Sequence, residues 1–198
     1  MPSSGNSYKV RLLLAHLGVP YTHIACEEAS PELARAKADG HAPQGKLPAL
    51  HLADGTVLVE SNAILWFLGQ QTAWIPSDPL DQSRMLGWMF YEQNRHEPVV
   101  AGRASLRCYE SRRAQATPAR LAQLLEQGHA ALAILDDGLA ARDWLVGDAP
   151  SLADIALYAY THSAGSLGGF DMARFPNIAA WCARVAALPG HIELDQIP

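Results

Sequence analysis

Apolar residues recur at helical spacing near the start of the chain, in the segment SYKVRLLLAHLG. Side chains three or four positions apart fall on one face of a helix, and Gly18 stands where a helix commonly ends. The next segment, YTHIAC, alternates weakly between polar and apolar residues and predicts a strand. A second helix is predicted between Ser30, a favourable N-cap, and Gly40, a stop signal. The apolar face of the first helix consists of Val10, Leu13, Leu14 and Leu17.

A hairpin is the clearest prediction from the pattern that follows. In LPALHLADGTVLVE, two short apolar runs are joined by Asp54-Gly55, a dipeptide that readily supplies the positive φ of a tight turn. The segment SNAILWFLG then returns to helical spacing, with Ser61 as the expected N-cap. A small α/β unit is therefore complete by Gln71.

The rest of the chain is predicted to be helical throughout. Residues 72–79 carry two prolines and no periodicity, which is typical of a linker. We predict an α/β domain at 1–71 and an all-helical domain at 80–198, because apolar residues beyond the linker keep helical spacing. Ser151 and Asp154 have the spacing of a capping box, so a structural role for this aspartate is favoured over a catalytic one.

Composition and charge exclude several function classes. The 198 residues are 49% hydrophobic and carry a net charge of −5, so a packed core is expected and a nucleic-acid or anionic-membrane surface is not. The three cysteines have no metal-ligand spacing, and no metal site is expected. No apolar run approaches the roughly 18 residues of a membrane span, which favours a soluble cytoplasmic protein.

A pair of hydroxyls precedes the first helix. Ser4 and Ser7 have the spacing of a redox C-x-x-C motif, but both sulfurs are missing, which excludes disulfide exchange at this site. A hydroxyl at a helix N-terminus can donate to an anion that the helix dipole also favours, such as a bound thiolate. On the local sequence, a serine that only caps the helix is the simpler interpretation.

Two dipeptides flank the hairpin. A cis bond at Leu47-Pro48 would turn the peptide groups of Leu47 toward a ligand, although trans is the commoner form. Glu60-Ser61 is either a strand end followed by an N-cap or a binding pair. As a binding pair, Ser61 and its backbone N–H hold a carboxylate while Glu60 accepts from an ammonium group. An amino-acid head group would satisfy both residues.

Four segments in order resemble the cytosolic glutathione transferases: SGNSYKVRLLLAHLGVPY, GKLPALHLADGTVLVESNAI, WLVGDAPSLADIALYAY and FPNIAAWCARVAALPG. The chain looks most similar to bacterial members related to the serine-using theta, delta and zeta classes. The resemblance implies an α/β thioredoxin-like N-terminal domain plus an all-α C-terminal helical domain. It also implies a homodimer that binds glutathione as co-substrate in each subunit and conjugates it to a small hydrophobic electrophile in detoxification.

The resemblance also implies roles for residues that match by position. Ser4 matches the hydroxyl that stabilises the glutathione thiolate. Leu47 and the cis-proline Pro48 match the pair whose backbone binds the cysteinyl part of glutathione. Glu60 and Ser61 match the acid and hydroxyl that hold the γ-glutamyl end.

Other positions are carried over with alternatives open. Lys46, in the loop before the hairpin, matches a residue that reaches the glycine carboxylate in some members. Trp88, Tyr91 and Arg95 are the expected electrophile-pocket residues between the domains, although an aromatic stripe on a helix is more often core.

The resemblance leaves one departure and one alternative function. Family members carry a strand before the serine motif, and only three residues precede Ser4 here. Without that strand the sheet is expected to have a gap of roughly 9–10 Å. A late start of the sequence is favoured over the alternative interpretation, a protein with a damaged first domain. A non-catalytic binding or interaction protein on the same fold is the alternative to an enzyme.

Overall fold

The computed structural model describes Met1 and residues 3–197, and the chain divides into two units. The first consists of Met1–Thr72 and Leu188–Pro198, and the second of Ala73–Ala187. The elements of the first unit are α1 (Gly5–Leu17), α2 (Pro31–Ala38), β1 (Ala49–His51), β2 (Val57–Val59) and α3 (Ser61–Gly69). Those of the second are α4 (Pro79–Tyr91), a π-helical segment (Glu92–His96), α5 (Glu97–Cys108), a 3-10 helix (Glu110–Gln115), α6 (Pro118–Leu139), α7 (Leu152–Thr161), a second π-helical segment (Ala164–Gly168), a 3-10 helix (Met172–Arg174) and α8 (Pro176–Ala186).

The first helix ends where its sequence predicts. Gly18 adopts a φ of 63°, a left-handed conformation that glycine reaches without a steric penalty. On the apolar face of α1, Val10 and Leu14 pack in a buried cluster with Ile64 of α3. The packing of α1 against α3 therefore forms the core of the first unit. Partly buried apolar residues around this cluster are Tyr21, Leu50, Leu58 and Leu68.

The predicted hairpin is confirmed. β1 and β2 are antiparallel, with Ala49 opposite Val59 and His51 opposite Val57. Gly55 has a φ of 88° in the connecting turn, as expected from the Asp-Gly dipeptide. The register places the residues before β1 and those after β2 at the same, open end of the hairpin.

The predicted strand at YTHIAC is wrong. Residues 21–27 have no regular secondary structure, and the sheet of the described chain consists of β1 and β2. An extended segment becomes a strand only when a neighbour takes up its ladder hydrogen bonds, which the weak local alternation cannot supply. The segment still contributes Cys26 to the core, whereas Ile24 is 76% exposed.

The predicted serine N-cap of α2 is confirmed, and that of α3 is wrong. The Ser30 hydroxyl accepts from the N–H of Leu33 at 3.1 Å and caps α2. Ser61 is instead the first residue of α3, and Glu60 occupies the N-cap position. Glu60 adopts a φ of 65°, so the chain turns one residue earlier than the serine suggests.

The C-terminal segment of the first unit lies along α1. The Tyr8 hydroxyl donates to the carbonyl of Ile192 at 2.6 Å, and the Arg11 guanidinium donates to the carbonyls of Leu194 and Gln196 at 2.7 Å each. These contacts place the last residues with the first unit, whereas the sequence pattern groups them with the helical domain.

Helices alone build the second unit in the described part of the chain. Its longest helix, α6, has 22 residues and packs against α5 and α8. No helix within the described residues is both long enough and apolar enough to cross a membrane.

The predicted capping box at the start of α7 is confirmed. The fully buried carboxylate of Asp154 accepts hydrogen bonds from the backbone and hydroxyl of Ser151, the N–H of Leu145 and the indole of Trp181. Burial raises the pKa of Asp154, and the four hydrogen bonds oppose that rise. This aspartate therefore joins α7 to α8 and to the preceding loop, which is a structural role.

Candidate functional site

The open end of the hairpin brings together the two dipeptides that the sequence predicts to bind a ligand. Leu47 and Pro48 lie immediately before the ladder that begins at Ala49, and Glu60 and Ser61 immediately follow β2. The Leu47–Pro48 peptide bond is cis. Because Leu47 precedes the first ladder pair, its peptide groups take no part in β1–β2 pairing. An extended ligand could therefore pair with this backbone and reach the start of α3.

Ser61 sits in a buried position at the N-terminus of α3. Ser61 is only 4% exposed, and its hydroxyl donates to the amide oxygen of Asn6 at 3.2 Å. This hydrogen bond links the first turn of α3 to the first turn of α1, where Ser4 is the N-cap. The N-termini of α1 and α3, at which the sequence predicts ligand contacts, therefore lie side by side.

Lys9 is the residue of this site that sequence reasoning missed. It is fully buried, and its ammonium donates to the side-chain oxygens of Asn6 at 2.8 Å, Ser61 at 3.4 Å and Asn62 at 3.5 Å. Its position in the helix could have indicated burial, since Lys9 lies on the same face as apolar Leu13 one turn later.

Glu60 has an unusual backbone conformation. Its φ of 65° and ψ of 110° are values that residues with a side chain rarely adopt, and such strain concentrates at binding sites. Its side chain is exposed and makes no capping hydrogen bond to α3 in the described structure. The first N–H groups of α3, together with the helix dipole, are therefore oriented toward a position where a ligand anion would be stabilised.

Ser4 occupies the N-cap position of α1, but its side chain does not cap the helix. It is half-buried, and its side chain forms no capping hydrogen bond within the described residues. The preceding turn is held by Ser3, whose backbone N–H and hydroxyl donate to the carboxylate of Glu27 at 3.1 and 2.7 Å. Ser7 is buried, and its hydroxyl has no hydrogen-bond partner in the described chain. The geometry of Ser4 therefore does not support the simpler interpretation, in which its hydroxyl only caps the helix.

Lys46 lies at the margin of this arrangement. It is exposed in the loop before Leu47 and follows Gly45, which has a φ of 70°. Its role at a glycine carboxylate stays a prediction.

The predicted electrophile-pocket residues belong to the second unit. The ring of Trp88 stands edge-on to that of Tyr91, with centroids 5.4 Å apart. The Tyr91 hydroxyl donates to the carbonyl of Ala131 in α6 at 2.8 Å, and burial raises the pKa of Tyr91 to about 12. Both aromatics thus contribute to the packing of α4 on α6, while Arg95 is exposed. Their role in a pocket stays a prediction.

Family models cover most of both units. The model of the glutathione S-transferase N-terminal domain matches residues 3–71, and that of the glutathione S-transferase C-terminal domain matches residues 118–184. A solved glutathione S-transferase from Pseudomonas fluorescens superposes with a TM-score of 0.90 and 40% identity, over 98% of this chain and 95% of that one. This chain belongs to the glutathione S-transferase family. The predicted fold class, thioredoxin-like followed by all-helical, is confirmed.

The proteins similar to this chain include a glutathione S-transferase-like protein and a transcriptional regulator. A glutathione S-transferase-like protein, LUC7 of Fusarium sp, is 30% identical over 83% of this chain and 74% of its own length. The transcriptional regulator URE2 of Saccharomyces cerevisiae is 25% identical over 96% of this chain, which spans 65% of that protein. A structure of Ure2p in complex with glutathione has a TM-score of 0.82 at 23% identity, over 95% of this chain and 92% of that one, a likeness that shows the fold.

Proposed function

We propose that this glutathione S-transferase family member binds glutathione in residues 1–71 and activates its thiol for attack on a small apolar electrophile. The observation that carries the proposal is the buried Ser61 hydroxyl at the N-terminus of α3, next to the strained Glu60 and to the first turn of α1. An acid beside a buried hydroxyl suits a zwitterionic head group better than it suits a purely structural turn.

Each end of the bound tripeptide has a proposed contact. The α-carboxylate of the γ-glutamyl group accepts from Ser61 and from the first N–H groups of α3, and its ammonium donates to Glu60. The cysteinyl backbone pairs with the peptide groups of Leu47, beside Pro48. Lys46 reaches the glycine carboxylate.

Thiol activation is assigned to the N-terminus of α1. Free glutathione has a thiol pKa of about 8.5, so only a small fraction is thiolate at neutral pH. A hydrogen bond from Ser4 and the positive end of the helix dipole stabilise the thiolate and increase that fraction. The sulfur then forms a bond to the electrophilic carbon, the leaving group departs with the bonding electrons, and the thiol proton passes to solvent.

A second function is favoured by one specific observation. The match to the transcriptional regulator URE2 covers 96% of this chain, so the same fold exists in a protein described by a regulatory role. A non-catalytic glutathione-binding protein would use Ser61, Glu60 and Leu47 as proposed but would have no turnover. We also propose that the protein is a cytoplasmic homodimer with one glutathione per subunit, which light scattering would detect as twice the 21.4 kDa chain mass.

Turnover of the Ser4→Ala variant tests the enzyme proposal. Loss of one hydrogen bond to a developing anion should lower kcat for an aryl halide by about 10- to 100-fold, with glutathione affinity nearly unchanged. Ser7→Ala is the matched control, since the Ser7 hydroxyl has no hydrogen-bond partner among the described residues and its removal should leave turnover near the wild-type value. Wild-type turnover in Ser4→Ala would contradict the role of Ser4. No turnover of the wild-type chain on a panel of electrophiles, with glutathione still bound, would favour the binding protein.

A further inference from the structure

The ring of His129, in α6, lies between two hydrogen-bond donors. The backbone N–H of Asp171 donates to Nε2 at 3.3 Å, and Nη1 of the Arg174 guanidinium lies 3.1 Å from Nδ1. A guanidinium carries N–H groups and no acceptor. Both ring nitrogens of His129 therefore face groups that can only donate.

A histidine ring cannot accept both of these hydrogen bonds. Burial, followed by the charge of Arg174, lowers the pKa of His129, so the ring is neutral at neutral pH. A neutral imidazole has one acceptor nitrogen and one N–H, so one of the two contacts places two donors against each other. When Nε2 accepts from Asp171, the N–H at Nδ1 and the Arg174 guanidinium point at each other. An oxygen atom between them would accept from both.

Two arginines of α5 add positive charge to this surface. The guanidinium of Arg103 is 5.9 Å from the centre of the Phe170 ring, and the ring of His129 contacts the same phenylalanine, with centroids 5.5 Å apart. Arg107, one turn later, lies so close to Gly169 that a Cβ atom added there would be 3.0 Å from the guanidinium carbon. Both cations therefore lie beside the loop that contacts His129.

The charges around this ring do not balance. Besides burial, the groups that change the pKa of His129 are Arg174, Asp171 and Arg103. Burial and the neighbouring Arg107 together lower the pKa of Arg103. None of the three arginines forms an ion pair within the described residues. Three arginines and one aspartate leave an excess of two positive charges, which a bound dianion would neutralise.

We propose that His129 and Arg174 form the centre of an anion site that takes a phosphate group, free or as a monoester. A phosphate group carries a charge of roughly −1.5 to −2 at neutral pH and presents three strong acceptor oxygens. One of these oxygens accepts from Nδ1 of His129 and from the guanidinium of Arg174, whose side chain is exposed and can move to admit it. All of these residues belong to the second unit, so the inference does not depend on the glutathione contacts proposed in residues 1–71.

NMR of the histidine rings tests this site directly. Inorganic phosphate is titrated into the 198-residue chain at constant pH and ionic strength, and the His129 signals are identified as those absent from His129→Gln. We expect a saturable shift of these signals with a Kd of about 1 mM, a value that two charge-assisted hydrogen bonds can support. Sodium chloride or sodium acetate at the same ionic strength should produce much smaller shifts.

A pair of arginine variants shows whether the guanidinium is responsible. Arg174→Met removes the charge and all N–H groups, and it should weaken phosphate binding by about tenfold or more. Because Arg174 is exposed, its replacement should leave the melting temperature near the wild-type value. Arg84→Met is the matched control, since Arg84 is another exposed arginine of the second unit and pairs with Asp81 at 2.8 Å. Its phosphate affinity should equal that of wild type.

Three results would overturn the inference. These are no saturable shift of the His129 signals at millimolar phosphate, equal shifts with phosphate and acetate, and wild-type affinity in Arg174→Met. Glycerol 3-phosphate in the same titration distinguishes the two sources of the group. Tighter binding of this ester than of inorganic phosphate would indicate a phosphate monoester as the ligand, and weaker binding would indicate free phosphate.

Discussion

Replacement of Glu60 by glycine should stabilise the protein while it weakens glutathione binding. At a φ of 65° and a ψ of 110°, the side chain of Glu60 costs about 1–3 kcal/mol, which glycine does not incur. Glycine also gains about 0.5–1 kcal/mol of conformational freedom in the unfolded chain, which reduces the benefit. The net expectation for Glu60→Gly is a gain of about 1 kcal/mol in the free energy of unfolding. In a chain of this length that gain corresponds to a Tm increase of about 2–4 °C.

The effect on binding has the opposite sign. Glu60 is exposed, so its proposed contact with the γ-glutamyl ammonium is weakened by solvent and is worth about 1 kcal/mol. Glycine removes that carboxylate, and glutathione affinity should fall by about fivefold. Thermal unfolding of the free protein and calorimetric titration with glutathione measure the two effects separately.

Two variants isolate the two effects. Glu60→Gln keeps the strained backbone and removes the charge, so it should lose affinity with no gain in Tm. Gln71→Gly relieves another positive φ, of 62°, outside the proposed site, so it should raise Tm and leave affinity unchanged. A lower Tm for Glu60→Gly would refute the assignment of strain to this position, and wild-type affinity in both Glu60 variants would refute its role in binding.

Two further predictions concern packing in the second unit. A Cβ atom added at Gly138 would lie 2.7 and 2.8 Å from ring atoms of Trp88, so Gly138→Ala should destabilise the protein by about 1–3 kcal/mol in thermal unfolding. Gly87→Ala is its control, since outside the adjacent residues and the backbone of α4 no atom of the described residues lies within 4 Å of the added carbon, and a gain in Tm is expected there. A smaller effect at Gly138 than at Gly87 would contradict the packing. Burial raises the pKa of Tyr91 from its ordinary 10 to about 12, so the stability contributed by the neutral phenol is fully present below pH 10 and is lost as the pH rises toward 12. Spectrophotometric titration of wild type against Tyr91→Phe should therefore show no phenolate from Tyr91 at pH 10, and ionisation near 10 would contradict its burial.

Local signals predicted the elements that local interactions determine. Gly18 ends α1, Ser30 caps α2, and Asp54-Gly55 closes the hairpin, because each feature depends on the conformation of a few adjacent residues. The capping box that begins α7 was predictable for the same reason.

Features that depend on distant partners were missed or wrongly predicted. YTHIAC has strand-like residues, but a strand requires a neighbour that the segment cannot specify. Ser61 looked like an N-cap because the positive φ of Glu60 has no sequence signal of the kind a glycine provides. The burial of Lys9 arises from contacts with α3, more than 50 residues away in the chain, so composition alone could not distinguish it from a surface lysine.

Calorimetric titration of the 198-residue chain with reduced glutathione, beside Ser61→Ala, tests the central claim most directly. Saturable binding with one site per chain is predicted for wild type, with affinity reduced by about tenfold or more when the buried hydroxyl is removed. At glutathione concentrations near 100 times Kd, the wild-type melting temperature should also rise, because bound ligand adds about 2.7 kcal/mol to stability. No heat of binding and no change in melting temperature for the wild-type chain at millimolar glutathione would contradict the account.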